Sequence, residues 1–180
     1  MSGTGGNPKA DSIGIQKQVA ALSDPDIDTR HAAISALKMI GEPAVRPLVR
    51  ALADAEDNDR RWYAAIALSR IGESAVVPLI MAMETNPSRE FRKYAAAALG
   101  EIGAPAVDSL VDALASDDRE LRGFLSQALC RIGKPAVEQL TRRLDDPDET
   151  IRHCVTLTLW QMGGNGLAEV VKKVKEDNTS

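Results

Sequence analysis

Two histidines, His31 and His153, are the residues of this chain best suited to bind a metal ion, and no other histidine occurs in its 180 residues. A protein-bound zinc ion needs three or four ligands from His, Cys, Asp or Glu. On a helix a second ligand must stand three or four residues after the first, where both side chains share a face. Those positions hold no ligand type: they are Ile34, Ser35, Thr156 and Leu157. We therefore predict no metal site and no cofactor.

The two cysteines, Cys130 and Cys154, are the candidate nucleophiles. His153 precedes Cys154, but consecutive helical residues point about 100° apart, so this histidine does not face that thiol. The sequence contains no CxxC pair, no phosphate-binding GxxxxGKS/T loop and no GxSxG motif. We predict packed thiols, no catalytic residue and a protein that is not an enzyme.

Five arginines recur at intervals of 30 or 31 residues: Arg30, Arg61, Arg92, Arg122 and Arg152. An Ile-Gly pair, or Met-Gly in the last case, follows each arginine at a constant distance, as Ile102-Gly103 follows Arg92. An Ala-Val pair such as Ala106-Val107 follows four of them, again in constant register. Chance does not keep three markers in one register, so the chain consists of tandem repeats.

Each repeat contains two predicted helices, and the third repeat shows the pattern. In FRKYAAAALGEI (91–102), apolar residues at i, i+3, i+4 and i+7 form one stripe. Gly103 suits the left-handed conformation that ends a helix, and Pro105 suits the first position of the next helix, PAVDSLVDAL (105–114). We call the helices that carry the five arginines the Arg-bearing helices, and those that start at the Ala-Val pairs the PAV helices.

The repeats predict an all-α chain of about eleven helices, from one near 13–22 to a half-repeat helix near 166–175. One helix pair cannot bury its own stripe, so the pairs must stack into an elongated structure. We assign residues 1–11 to a disordered tail, 12–175 to a single repeat domain and 176–180 to a frayed end. The glycine-rich 163–166 is interpreted as a linker to the last helix.

Composition limits the classes of partner. The formal net charge of −4 argues against a general affinity for nucleic acid, because phosphates favour basic surfaces. No apolar run approaches the roughly 20 residues of a bilayer span, and the first residues lack the pattern of a secretory signal. Two cysteines make no disulfide framework. We therefore expect a cytoplasmic protein without membrane partners.

The segments DPDETIRHCV (146–155) and FRKYAAAALGEIGAPAVDSLVDAL (91–114) resemble the HEAT-repeat superfamily, in particular its short bacterial and archaeal repeats. The resemblance extends over 13–175. It implies a right-handed α-solenoid of about five HEAT-like helix pairs with a C-terminal half-repeat cap. It also implies that the Arg-bearing helices line the concave face and the PAV helices the convex face.

The same resemblance implies that each repeated arginine and an acidic residue of the preceding loop form a buttress between neighbouring repeats. The third repeat departs from this pattern, because Asn86-Pro87 stands where the acid would be. We therefore predict that Arg92→Ala destabilises the protein less than Arg152→Ala.

Enzymes with HEAT-like repeats provide alternatives. Deoxyhypusine hydroxylase holds two irons with repeated His-Glu dyads, whereas the matching dipeptides here are His31-Ala32 and His153-Cys154, so we reject that activity. Alkylpurine DNA glycosylases need a strongly basic concave face. Phycobilin lyases use this short repeat type, and a lyase or enzyme subunit remains an alternative, as does a nucleic-acid binder.

All six aromatic residues fall on Arg-bearing helices. Tyr63, Tyr94 and Phe124 occupy the same position in three successive repeats. On each helix, this position and the residues three and seven places later lie on one stripe. Two interpretations stay open, since the rings could pack between repeats or form an exposed ladder. Ala32 and Cys154 occupy the position in the outer repeats, so a large side chain is not required there.

From this stripe we predict a non-enzymatic scaffold or adaptor whose concave groove binds a protein or peptide partner. Tyr, Trp and Arg are enriched in interface hot spots. We expect a monomer or a weak homodimer. The predicted groove residues are Trp62, Tyr63, Ile66, Arg70, Tyr94, Glu101, Phe124, Gln127, Arg131 and Trp160.

Overall fold

The computed structural model describes residues 8–177, with side chains for 12–164 and 166–172. Within that range the chain forms eleven α-helices and no strand. The helices are α1 (Pro8–Ala21), α2 (Ile27–Ile40), α3 (Val45–Asp54), α4 (Asn58–Ile71), α5 (Val76–Thr85), α6 (Arg89–Ile102), α7 (Val107–Ala113), α8 (Arg119–Ile132), α9 (Lys134–Arg142), α10 (Glu149–Gln161) and α11 (Gly164–Asp177).

The two ends of the chain differ from the sequence-based boundaries. Helix α1 begins at Pro8, earlier than the predicted start near residue 13, so residues 8–11 of the expected disordered tail are helical. A proline is favourable at a first helical position because its missing N–H would be unpaired there anyway. Helix α11 extends through Asp177. Residues 1–7 and 178–180 lie outside the described residues.

The same backbone geometry recurs at both ends of the Arg-bearing helices and keeps the repeats in register. Glycines end the Arg-bearing helices with positive φ, from 72° at Gly163 to 91° at Gly72, a region that L side chains rarely adopt. Gly103 donates its N–H to the carbonyl of Leu99, and Gly41, Gly72 and Gly133 make the equivalent bond. Side-chain oxygens cap the N-termini of the same helices, as Asp118 does for α8. Each Arg-bearing helix therefore presents its residues at the same height.

The helices form two layers. The Arg-bearing helices α2, α4, α6, α8 and α10 make one layer, and α1, α3, α5, α7, α9 and α11 make the other. The Arg-bearing helices approach one another more closely than the PAV helices do, because small residues such as Ala65, Ala96 and Gly100 lie between them, buried. The more closely packed layer is the one that the resemblance to HEAT repeats places on the concave face.

One continuous apolar core joins the layers. Leu37, Leu68, Leu99, Leu129 and Leu159 repeat in the centre of the Arg-bearing helices and are completely buried. Leu48, Leu79, Leu110 and Leu140 do the same from the PAV helices. The isoleucine of each Ile-Gly pair is only half-buried, as Ile102 shows. The structure is thus the predicted α-solenoid of five helix pairs with a half-repeat at its C-terminal end.

The last helix packs closely against the one before it. Gly164 already belongs to α11, so the glycine-rich segment is the first turn of the helix rather than a linker. A Cβ on Gly166 would lie 2.2 Å from the carbonyl oxygen of Leu159 in α10. Only glycine therefore permits this approach of α11, which buries Val170.

Candidate peptide-binding groove

A groove crosses the Arg-bearing helices α4, α6 and α8 on the concave side. It consists of two adjoining cavities of about 310 and 390 Å³ that share Trp62, Ala97 and Arg131. Trp62 is 49% exposed at their junction. The small side chain of Ala97 leaves the space between the larger neighbours. We call this feature the groove; its further lining residues used below are Ile66, Arg70, Lys93, Tyr94, Glu101 and Gln127.

An ion pair between repeats fixes part of the groove. Arg131 donates from Nη2 to Oε1 of Glu101 at 2.6 Å and from Nε to the same oxygen at 3.0 Å. The stem of Arg131 lies on Gly100, where a Cβ would come within 2.5 Å of its Cδ. Glycine at that position therefore lets Arg131 lie flat along α6 and reach Glu101.

Arg70 is different, because its guanidinium is exposed and makes no hydrogen bond or ion pair with any residue whose side chain the structure describes. It lines the same cavity as Trp62 and Ile66. Lys93 lines the adjoining cavity, where its ammonium lies 5.5 Å from the Tyr94 ring centroid and 3.7 Å from Glu90. The groove thus offers, beside an exposed indole, one cation that has no partner among the described side chains.

The three rings in equivalent positions have different environments. Tyr63 is half-buried under the guanidinium of Arg30, which lies 4.5 Å above the ring. Tyr94 is half-buried and lines the groove. Phe124 is 7% exposed and belongs to the core. Phe124 and Tyr63 therefore pack between repeats, and of the three rings only Tyr94 keeps a face toward the groove. The expectation that Phe124 lines the groove and anchors a partner is wrong, because its ring is buried.

Trp160 is exposed but lies apart from the groove. In α6 and α8 the equivalent position faces the next Arg-bearing helix: Gly100 lies under Arg131, and Cys130 contacts the carbonyl of Thr158 at 3.9 Å. No further Arg-bearing helix follows α10 within the described residues. The sequence pattern grouped Trp160 with the groove because it is aromatic, whereas its position on the helix assigns it to the end of the solenoid.

Sequence reasoning missed Lys93 and Ala97 among the groove residues. Ala97 stands on the predicted stripe, between Ile66 and Gln127 of the neighbouring repeats. The signal was its small size, because an alanine between large residues opens a cavity. Lys93 precedes Tyr94 and occupies the position of Trp62 in its repeat.

The repeated arginines bind the loops through backbone carbonyls. Arg122 donates from Nη1 to the carbonyl of Ser116 at 2.6 Å, and Arg152 donates to the carbonyls of Asp146 and Pro147 at 2.6 and 3.1 Å. Arg61 bonds the carbonyl of Ala55 in the same way. The expected buttress is present, but its acceptor is the peptide backbone rather than the carboxylate of the preceding loop.

Arg92 is the exception, and it lies in the repeat whose loop has no acid. Its side chain is 2% exposed, and Nε donates to the carbonyls of Met83 and Asn86, each at 3.0 Å. Its Nη2 pairs with Oδ2 of Asp118, at the start of the next repeat, at 2.7 Å. The structure removes the basis for expecting Arg92→Ala to destabilise less than Arg152→Ala, because Arg92 has a carboxylate partner that comes from the following loop.

The pKa of Asp118 is lowered by the backbone N–H of Leu121, which its carboxylate accepts, and then by Arg92. A lowered folded-state pKa means that the carboxylate stabilises the protein above its unfolded pKa of about 3.9 and loses that effect as the pH falls through the folded value.

We expect Asp118→Asn to reduce stability at neutral pH and to flatten the fall in stability below about pH 4. Urea denaturation at a series of pH values measures both. The matched control is Asp117→Asn, which alters an exposed neighbour that makes no hydrogen bond or ion pair in the described part of the chain. If the slope against pH in Asp118→Asn equals that of the wild type, this carboxylate is not coupled to folding.

The histidines and cysteines do not form a reactive cluster in the part of the chain whose side chains are described: no group of three His, Cys, Asp or Glu residues there could hold a metal ion. Burial raises the pKa of the Cys130 thiol. Burial also raises the pKa of the Cys154 thiol, and the nearby Arg122 only partly opposes this. Both cysteines are therefore held as neutral thiols at neutral pH.

Comparison with known proteins agrees with the repeat organisation. The family model for HEAT repeats matches residues 15–100, 59–123 and 107–180. None of the curated protein sequences compared with the chain matches it. In residues 8–177 no helix has the length and apolar character needed to cross a membrane.

Solved structures with similar folds include helical-repeat proteins. The complex of CpcE and CpcF of phycocyanin lyase from Nostoc sp. PCC7120 is 21% identical over 82% of this chain and 98% of that chain, with a TM-score of 0.43. Computationally designed armadillo repeat proteins for modular peptide recognition are 21% identical over 81% and 80%, with a TM-score of 0.32. A designed armadillo repeat protein in complex with the peptide (KR)4 is 19% identical over 88% and 90%, with a TM-score of 0.33.

Proposed function

Since this chain belongs to the HEAT-repeat family, we propose that it is a non-enzymatic scaffold whose groove binds an acidic, partly apolar peptide segment of a protein partner. The observation that carries this proposal is the exposed indole of Trp62 beside the unpartnered guanidinium of Arg70 in one cavity.

The apolar part of the groove suits a single aliphatic or aromatic side chain. Trp62, Ile66 and Ala97 line the same cavity, and burial of apolar surface there contributes about 25 cal/mol per Å². Tryptophan is one of the residue types most enriched in binding hot spots. A partner side chain inserted against Trp62 would remove both surfaces from water.

The charges of the groove select the sign of the partner. Arg70, Arg131 and Lys93 line it together with one carboxylate, that of Glu101, in a chain of net charge −4. Glu101 is already paired with Arg131 at 2.6 Å, so the unsatisfied charge is positive. A carboxylate of the partner would pair with Arg70, and the local positive potential would also favour its approach.

The proposal is tested with two synthetic peptides, fluorescein-labelled (Leu-Glu)4 and (Leu-Lys)4, titrated against the intact protein by fluorescence anisotropy. We expect the acidic peptide to bind and the basic peptide not to bind. Trp62→Ala should weaken binding about tenfold or more, as the loss of a hot-spot residue does. Arg70→Glu should weaken it similarly and make binding depend less on salt.

The matched control is Trp160→Ala, which removes the second exposed tryptophan but lies outside the groove. Its binding should equal that of the wild type. Equal binding by wild type and Trp62→Ala would contradict the proposal, as would a preference for the basic peptide. Retention of a labelled oligo-dT in place of both peptides would assign the groove to nucleic acid instead.

A further inference from the structure

The outer surface of the solenoid carries a second pattern, on the helices opposite the groove. Helices α3, α5 and α7 begin at Val45, Val76 and Val107, which are equivalent residues of successive repeats. The residues that follow these valines therefore lie at the same height, and so do those one turn later. These exposed pairs are Arg46 and Arg50 on α3, Val77 and Met81 on α5, and Asp108 and Asp112 on α7. We call the six residues the outer face.

The centre of the outer face is apolar. Val77 is 55% exposed and Met81 is 60% exposed. The opposite side of α5 supplies Val76, Leu79 and Met83 to the core, so Val77 and Met81 are not needed for the packing of this helix. The core of a protein interface is more apolar than its rim, so these two side chains suit the centre of an interface.

The two sides of the outer face carry opposite charges. Arg46 and Arg50 make no ion pair with any described side chain, and neither does Asp108. Asp112 accepts a hydrogen bond from Arg143 at 2.8 Å, but its side chain remains 67% exposed and can accept another. The outer face is thus cationic on α3, apolar on α5 and anionic on α7.

We propose that the outer face binds a second copy of this chain, related by a two-fold axis parallel to α5. Such an axis places Val77 and Met81 against their own equivalents. It also places α3 of each copy over α7 of the other, so Arg46 meets Asp108 and Arg50 meets Asp112, twice in the dimer. In a two-fold interface the same patch must be complementary to itself, and this arrangement of charge satisfies that condition.

A two-fold axis in a second orientation would also bring the two outer faces together, but it would create unfavourable charge contacts. An axis perpendicular to the helices would place α3 over α3 and α7 over α7, so arginine would face arginine and aspartate would face aspartate. Like charges placed opposite each other are unfavourable. The charge pattern therefore selects the axis parallel to α5.

The dimer is expected to be weak and sensitive to salt. Only two apolar residues from each copy lie at its centre, and interfaces below about 1,200 Å² belong to transient complexes. Glu84 follows Met81 on the exposed side of α5, where the carboxylates of the two copies approach each other across the axis. Exposed ion pairs are screened by salt, so dissociation on dilution and at high ionic strength follows from the geometry.

The test is sedimentation equilibrium of four proteins at low and high salt. The wild type should reach the dimer mass at high concentration in low salt. Arg46→Glu/Arg50→Glu, which has an all-acidic outer face, should stay monomeric. Asp108→Arg/Asp112→Arg, which has an all-basic outer face, should also stay monomeric. An equimolar mixture of these two variants should form a heterodimer, because both charged sides then match again.

The fourth protein is the control Lys38→Glu/Arg70→Glu, which makes the same change in net charge on the concave layer and should dimerise like the wild type. A wild type that remains monomeric at every concentration overturns the proposal. A dimer that survives either outer-face double variant, or two variants that fail to associate when mixed, also overturns it. Because Arg70 lies in the groove and not on the outer face, a failure of this proposal leaves the proposed peptide binding untouched.

Discussion

Replacing Arg92 by alanine is expected to lower the free energy of unfolding by about 3–4 kcal/mol, because the hydrogen bonds of a charged donor are lost together with the packing of a fully buried side chain. The loss has three sources. The carbonyls of Met83 and Asn86 lose a donor, Asp118 loses its countercharge, and the space of a 2% exposed side chain is left empty. Urea denaturation measures the difference from the wild type.

Arg152→Ala is the matched variant, and we expect it to lower the free energy of unfolding by about 1.5–2 kcal/mol, the low end of the range for hydrogen bonds made by a charged group. Arg152 is half-buried and contacts two loop carbonyls without an ion pair to any described residue. The order of the two effects is the decisive result. An Arg92→Ala variant that is as stable as Arg152→Ala would contradict the central role of this arginine.

A further variant separates packing from hydrogen bonding. Arg92→Met keeps most of the aliphatic volume and removes the guanidinium, so its stability should fall between those of the wild type and Arg92→Ala. If Arg92→Met is as stable as the wild type, the hydrogen bonds and the pair with Asp118 make no net contribution.

Leu99→Ala is expected to lower the free energy of unfolding by about 3–4 kcal/mol, within the range for a fully buried leucine whose removal leaves a cavity. Leu99 is completely buried in the middle of α6, in the central repeat. Neighbouring repeats hold it on both sides, so the surrounding helices cannot collapse into the space without breaking the register of the solenoid. Chemical denaturation monitored by circular dichroism measures the loss.

Ile102→Ala is the comparison, because Ile102 lies one turn later on the same stripe but is only half-buried. We expect it to lower the free energy of unfolding by about half as much, since the cavity opens to water. Equal losses for Leu99→Ala and Ile102→Ala would mean that burial at these two positions does not control stability.

The helices and their register could be predicted because their signals are local. A stripe with helical period, a glycine at the end of each Arg-bearing helix and a proline at the start of the next helix all act within a few residues. The repeat then multiplied each signal, so a weak feature in one unit was supported by its equivalents. The HEAT-repeat family was identified on the same basis, and its family model confirms it.

The partners of long side chains could not be predicted in the same way. Loop acids near Arg122 and Arg152 suggested carboxylate partners, yet the acceptors are backbone carbonyls. The carboxylate that pairs with Arg92 belongs to Asp118, in the next repeat. A guanidinium reaches several residues along and across the helices, so its partner depends on how closely adjacent repeats pack.

The sequence alone determined the number and order of the helices and the apolar stripe that each one buries, because periodicity and turn residues act locally and the tandem repeat allows a single stacking scheme. Tertiary structure decided which residues at equivalent positions of successive repeats are exposed: Tyr94 faces the groove while Phe124 is buried. It also decided that Trp62 and Arg70 share a cavity while Trp160 does not. The physical reason is that these outcomes depend on contacts about one repeat apart, where the size of each neighbouring side chain sets how much of the next one remains open to water.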